Sequence, residues 1–345
     1  MTTDPSITTP DSRPVIYDNH GRPITYLRLA VTDRCNLRCF YCMPEEGIKY
    51  LHKSKLLSYE EMLRIVGVLA ELGVHKVRIT GGEPFVRNNL VDFLYRLADI
   101  QGIDELNITT NGVLTGQYLK QMKEIGIRSV NLSLDTLVAT KFNTITLRNQ
   151  FEKVIDNLHL LLNNDFKVKV NVVLMKGFNE NEIVDFVKLT QFLPISVRFI
   201  EFMPFAGNEW DRSKMVSQNE ILSKVETCFT SDKIQKLEDE KNFTARTYKI
   251  KGFQGDFGII SSITNPFCDS CNRIRLTANG KIKNCLFSNS ETDLLTAFRN
   301  GESITNLIAQ SVQNKKKVRA GMETFSEIND PSLHFDNRSM IAIGG

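Results

Sequence analysis

From about residue 26 to residue 203 the chain alternates β-rich runs with amphipathic helical stretches, and this alternation restricts its fold more than any other feature. The runs rich in Val, Ile, Leu and Thr fall at 26–32, 74–80, 105–110, 128–134, 167–175 and 196–203. Helical periodicity fills the spaces at 58–72, 88–100, 115–125, 151–162 and 180–192. The first helix is the clearest. Ser58 and Glu61 stand in capping-box relation, Met62, Ile65, Val66 and Leu69 form one apolar stripe, and Gly73 is placed to end it. Such alternation predicts a parallel sheet with right-handed crossovers. Six units in about 180 residues fall short of the eight units and about 250 residues of a closed barrel. The expected fold is therefore α/β, an incomplete (β/α)6 TIM-like barrel with an open side, whose chemistry sits where strands end.

After Pro204 the grammar changes. A helix is expected at 218–229 and paired strands at 243–250 and 257–263, with Asn279-Gly280 turning a hairpin between 273–278 and 281–286. Helices near 292–299 and 303–313 follow. The division is a mobile leader at 1–15, a partial barrel at 16–205, and an α+β region at 206–345 covering the open side. Lys+Arg number 43 against Asp+Glu 40, which gives no support to a nucleic-acid or membrane face. The run Lys315–Lys317 with Arg319 reads as a solvated face. With no apolar h-region in the first 20 residues and no membrane-length apolar run, a cytoplasmic, reducing setting is expected. In that setting grouped cysteines point to metal.

Polar and glycine motifs fall where the strands are expected to end. They are Gly81-Gly82-Glu83-Pro84, Thr109-Thr110-Asn111-Gly112, Ser133-Leu134-Asp135 and Glu201-Phe202-Met203-Pro204. The first strand runs into Cys35, Cys39 and Cys42, a C-x3-C-x2-C set. Three thiolates so close can wrap one metal centre. Zinc would need a fourth ligand, for which His52 is the nearest, whereas a 4Fe–4S cluster would keep one iron open. Cys268, Cys271 and Cys285 form a second trio that the hairpin brings together, with zinc again the alternative. Cys228, the seventh cysteine, is expected on the apolar side of a helix as a buried, inert thiol. Among the cations, Arg28 and Lys169 have carboxylate pairing as their bland reading, and Arg198 a strand-end ion pair. Asp135 is expected to cap the following helix, and His75 and His334 to be structural.

The run from Cys35 to Pro44, CNLRCFYCMP with Tyr41 before the third cysteine, resembles the signature of radical S-adenosylmethionine (SAM) enzymes. The GGEP-like strand end at 81–84 resembles that superfamily's second mark. From about Pro14 to Gly345 the chain is similar to the GTP 3′,8-cyclases of molybdenum cofactor biosynthesis. The likeness rests on Asn272-Arg273-Ile274-Arg275, on the fifth-strand run Lys169–Val173 and sixth-strand run 197–204, and on the Gly344-Gly345 end. Loop 207–214 is shorter than the family pattern. The resemblance implies that Cys35, Cys39 and Cys42 hold a 4Fe–4S cluster that cleaves SAM. It implies a SAM site of Tyr41, Gly82, Ser133 and Met203. GTP would meet Arg28, Arg78, Lys169, Arg273, Arg275 and Thr109, with Thr110 one register away. Cys268, Cys271 and Cys285 would hold a second 4Fe–4S cluster whose open iron anchors guanine. The implied reaction takes hydrogen from ribose C3′ and joins C3′ to guanine C8. Implied partners are a flavodoxin- or ferredoxin-type electron donor, the next enzyme of the pathway and a second copy of the chain. A peptide-maturing radical enzyme and a non-catalytic zinc or iron–sulfur module are the competing readings.

Overall fold

The computed structural model describes residues 14–43, 47–208, 210–333 and 336–344. Most of the expected leader at 1–15, His334 and Gly345 lie outside the described residues; Pro14 and Val15 are described and pack against Gly73. Six parallel neighbours form the centre of the sheet: β1 (Tyr26–Ala30), β2 (Lys76–Thr80), β3 (Glu105–Thr110), β4 (Ser129–Ser133), β5 (Lys167–Leu174) and β6 (Ser196–Glu201). Between and after them run α1 (Tyr59–Glu71), α2 (Leu90–Ala98), α3 (Leu119–Ile125), α4 (Ala139–Thr146), α5 (Phe151–Asn163), α6 (Ile183–Leu189) and α7 (Gln218–Glu226). The α1 capping box forms as the sequence predicts, with Ser58 Oγ accepting from the Glu61 N–H at 3.1 Å and Glu61 accepting from the Ser58 N–H at 2.7 Å. Helix α4 was not predicted. Its sequence, ATKFNTIT, is rich in β-branched residues of low helix propensity, and its place comes from burying Phe142 and Ile145.

The second region carries β7 (Ile234–Lys236), β8 (Arg246–Ile250), β9 (Asp256–Ile260), β10 (Arg273–Leu276), β11 (Lys281–Lys283) and β12 (Thr292–Asp293). Its helices are α8 (Leu294–Arg299), α9 (Thr305–Gln313), α10 (Phe325–Asn329) and α11 (Met340–Ile343). Rather than only covering the barrel, this region extends it on both edges. β10 pairs parallel with β1 and β9 pairs parallel with β6, giving the order β12-β11-β10-β1-β2-β3-β4-β5-β6-β9-β8-β7. The sheet stays open, as the unit count predicts. Cys228 corrects an expectation: α7 ends at Glu226, so the helical phase of Ile221 and Val225 does not carry on to Cys228, which is exposed.

Strand alternation divides the sheet chemically. Leu27, Leu29, Val77, Ile79, Val170 and Phe199 are fully buried in the core under the helices. The intervening residues face inward and are largely polar. Among the described residues no helix is long and apolar enough to cross a membrane.

Candidate active site

The concave face of the sheet carries a row of cations. Arg28 on β1 is paired in register with Arg78 on β2 and with Arg275 on β10, and Arg275 is paired with Lys283 on β11. Four neighbouring strands thus set Lys283, Arg275, Arg28 and Arg78 at one level. Lys169 on β5 and Arg198 on β6 share this face. Among the described residues none of these six is ion-paired with a carboxylate, so the bland readings of Arg28, Lys169 and Arg198 do not hold. The Nε atoms of Arg28 and Arg198, Nη2 of Arg273, Oγ1 of Thr109 and Oδ1 of Asn171 are buried with no hydrogen-bond partner. Burial drives Arg28 down to about 10, with Arg78 and Arg273 adding to the effect. Burial, then Arg198 and Arg78, takes Lys169 down to about 8. Arg275 is held well below its ordinary value by burial and by Arg28. Like charges gathered out of water are costly without a counter-charge, so this wall suits an anion.

Next to the wall lies the Cys35–Cys42 loop. The turn after β2 holds it from behind: Gly82 N–H donates to Thr32 O at 2.9 Å and Glu83 N–H to Arg34 O at 2.8 Å. The approach admits no side chain. A Cβ on Gly82 would lie 2.3 Å from Arg34 O, and one on Gly81, whose φ is +150°, would lie 2.6 Å from Thr32 O. Glu83 is fully buried and accepts from the Asn111 N–H at 2.7 Å and the Thr110 hydroxyl at 2.9 Å. Both Thr109 and Thr110 line the cavity; the Thr110 hydroxyl is engaged by Glu83, while that of Thr109 is buried without a partner. Asn111 Nδ2 donates to Cys35 Sγ at 3.6 Å. Asp135 does not cap a helix, since Val138 precedes α4. Its carboxylate takes the Tyr41 hydroxyl at 2.7 Å and the Val173 N–H at 2.8 Å, and burial pushes it up to about 6. Burial and then Glu83 push Cys35 up to about 11. Cys42 rises to about 12 through burial, Cys35 and Asp135. Free, these sulfurs stay as thiols; only a cationic centre would hold them as thiolates.

The second trio lies across the same cavity. Cys268 and Cys271 precede β10 and Cys285 follows β11. Lys315, read from sequence as part of a solvated run, is 2% exposed. Its amine donates to Cys271 Sγ at 3.4 Å and to Arg273 O at 2.6 Å. Burial alone would raise Cys271, but the charges of Lys315 and Arg273 prevail and bring it to about 6. Arg319 is also buried, donating to Ile263 O at 2.7 Å and Met322 O at 2.8 Å; only Lys316 and Lys317 of the run are exposed. Arg22 secures the Cys268 turn, donating to Cys268 O at 2.8 Å. Neither Lys315 nor Arg22 gave a sequence signal. Lys283 gave one, since it alternates with Lys281 along a strand.

Both trios line one cavity of about 330 Å³, within the roughly 300–1,000 Å³ typical of a small-ligand pocket. Tyr41, Gly82, Ser133, Met203, Arg28, Arg273 and Arg275 line it too, whereas Arg78 and Lys169 share the concave face without lining it. Instead, Arg78 Nε donates to the Tyr26 hydroxyl. Gly344 reaches in from the far end of the chain. Its carbonyl accepts from Arg275 Nη1 at 2.6 Å, and at its φ of +80° a Cβ would lie 2.5 Å from Thr80 Oγ1. His52 is turned to Ser54, capping a short turn, and supplies no fourth ligand. Among the described residues no three of His, Cys, Asp and Glu close around a single-ion site.

Two family models cover most of the chain: Radical SAM superfamily over residues 29–190 and Molybdenum Cofactor Synthesis C over 195–320. Molybdenum cofactor biosynthesis protein 1 of Mus musculus is 43% identical over 331 residues, 95% of this chain and 51% of that protein. The chain thus spans about half of that relative's length. GTP 3′,8-cyclase of Peptoclostridium acidaminophilum is 42% identical over 311 residues, 89% of this chain and 94% of that protein. The chain belongs to the GTP 3′,8-cyclase family. Among solved structures, SuiB of Streptococcus suis superposes with a TM-score of 0.59 at 16% identity, over 89% of this chain and 69% of that one, a likeness of fold. The two models meet in the short gap before β6, within the single sheet of this family member. The radical SAM match brings with it a 4Fe–4S cluster and SAM as cofactors.

Proposed function

We propose that the chain is a radical SAM enzyme converting GTP to (8S)-3′,8-cyclo-7,8-dihydroguanosine 5′-triphosphate, the first step of molybdenum cofactor biosynthesis. The observation that carries this is the row of half-buried Arg28 and Arg275 with buried Lys283 and Arg78, unpaired with carboxylates among the described residues, of which Arg28, Arg275 and Lys283 line the cavity shared by the two cysteine trios. A triphosphate supplies the dense negative charge that such a wall needs, and guanidinium forks suit its oxygens. A peptide of ordinary charge would leave most of that wall uncompensated.

Cys35, Cys39 and Cys42 would hold the SAM cluster, with SAM against Tyr41, Gly82, Ser133 and Met203. Arg28, Arg78, Thr109, Lys169, Arg273 and Arg275 would hold GTP, and Cys268, Cys271 and Cys285 a second 4Fe–4S cluster. When bound, the reduced cluster and SAM would supply the radical that removes the C3′ hydrogen of GTP; C3′ would then bond to C8, and one further electron from the electron donor, with a proton, would give the 7,8-dihydro product. The chain's own residues do the positioning. The arginines fix the phosphates and the polar strand ends orient ribose and base, with Arg275 itself held by the Gly344 carbonyl. Residues 16–205 would carry the radical half and 206–345 the second cluster. An electron donor of flavodoxin or ferredoxin type, the next enzyme of the pathway and a second copy of the chain would be partners in the cytoplasm.

Metal analysis with equilibrium GTP binding tests the reading. Anaerobically prepared protein should hold about eight irons and eight sulfides and bind GTP far better than guanosine. About two zinc ions without sulfide, or equal affinity for GTP and guanosine, would overturn it.

A further inference from the structure

We propose that Lys315 is a positioning residue of the second cysteine site, fixing the Cys271 sulfur and the main chain of Arg273 in one relation and so coupling metal ligation to the cation wall. The proposal rests on the two-cluster reading above.

Lys315 follows the last turn of α9, where its N–H donates to Val312 O at 3.1 Å. Its neighbours Lys316 and Lys317 point to solvent, but its own amine turns inward. A buried ammonium is costly unless its protons are used. Two acceptors are in place, Cys271 Sγ at 3.4 Å and Arg273 O at 2.6 Å. Among the described residues no carboxylate is paired with it, so the natural counter-charge is an anionic sulfur, as metal ligation provides. Arg273 opens β10, its guanidinium 5.1 Å over the Phe267 ring and its Nη2 unpartnered. Two residues on, Arg275 stands level with Arg28. One amine therefore fixes both a cysteine ligand and the start of the strand that presents the two arginines.

The two cysteine sites also stand in opposite electrostatic surroundings. Asp135 holds Tyr41 beside Cys42, and Glu83 holds Asn111, which donates to Cys35 Sγ, whereas Lys315 donates to Cys271 Sγ. Positive charge and hydrogen bonds at a ligand sulfur raise the reduction potential of an iron–sulfur centre. Lys315, 3.4 Å from Cys271 Sγ, thus favours the reduced state of a cluster held there.

The test compares unmutated full-length protein with Lys315→Met and Lys315→Arg, all reconstituted anaerobically with iron and sulfide. Iron content, redox titration of each cluster by electron paramagnetic resonance, and equilibrium GTP binding are measured. In the Met variant the first cluster should persist. The second should be lost, or titrate at a more negative potential, and GTP affinity should fall roughly tenfold or more. The Arg variant should recover part of both. A Met variant with full iron content, an unchanged second potential and unchanged GTP affinity overturns the proposal. Should that variant lose the first cluster too, Lys315→Gln, which keeps a donor and drops the charge, carries the test by the same outcomes. Only about four irons in the unmutated protein would instead overturn the two-cluster reading itself.

Discussion

Glu83 ties the ends of β2 and β3 together while carrying a carboxyl group that burial pushes up to about 7. A carboxyl raised above its unfolded value stabilises the fold most at low pH, and that contribution is lost as pH rises through the folded value. Metal-free protein should therefore lose stability between pH 5 and pH 8, by on the order of 3 kcal/mol from this residue. Glu83→Gln should flatten that part of the profile, as read by denaturant unfolding at several pH values. An identical slope in both proteins would contradict the assignment. Arg275 offers the matching test on the wall. Arg275→Ala should weaken GTP binding roughly 10- to 100-fold with iron content unchanged; unaltered affinity would remove it from the site. At this scale the sequence was most informative where chemistry needs a rare pattern, as in the cysteine trios. It was least informative for Lys315 and Asp135. One is buried from within a run of lysines, and the other is drawn from a helix start by Tyr41 and the Val173 N–H. Thr109 and Thr110 differ in a way no sequence pattern shows: Glu83 engages the Thr110 hydroxyl, and that of Thr109 has no partner.

Among the elements, the turn after β2 is the most demanding. Gly82→Ala would drive a methyl into Arg34 O and should displace the Cys35–Cys42 loop, lowering iron by about half. Gly67 in the middle of α1 is the control. It has open space around its missing side chain, so Gly67→Ala should raise stability by about 0.5–1 kcal/mol and leave iron alone. Full iron in the Gly82 variant would refute the close-packing account. The six parallel strands, α1 with its capping box, and the Asn279-Gly280 hairpin were legible because local periodicity and turn chemistry specify them. The pairing of β10 with β1 was not, since it joins residues about 250 positions apart and only tertiary packing chooses the edge.

Across the whole molecule the net charge of +3 hides the cation wall, because surface carboxylates balance it elsewhere. The shared sheet has a consequence for dissection. A fragment of residues 14–205 would leave β1 and β6 with bare edges where β10 and β9 belong. It should aggregate or melt without cooperativity in circular dichroism; a monomeric, cooperatively melting fragment would mean that the two regions are independent. Whether this family member cyclises GTP is decided by a single assay. Full-length protein is incubated anaerobically with reductant, SAM and GTP, and the products are followed by mass spectrometry. 5′-Deoxyadenosine should form together with the 3′,8-cyclised nucleotide; 5′-deoxyadenosine with GTP left uncyclised would contradict the cyclase assignment.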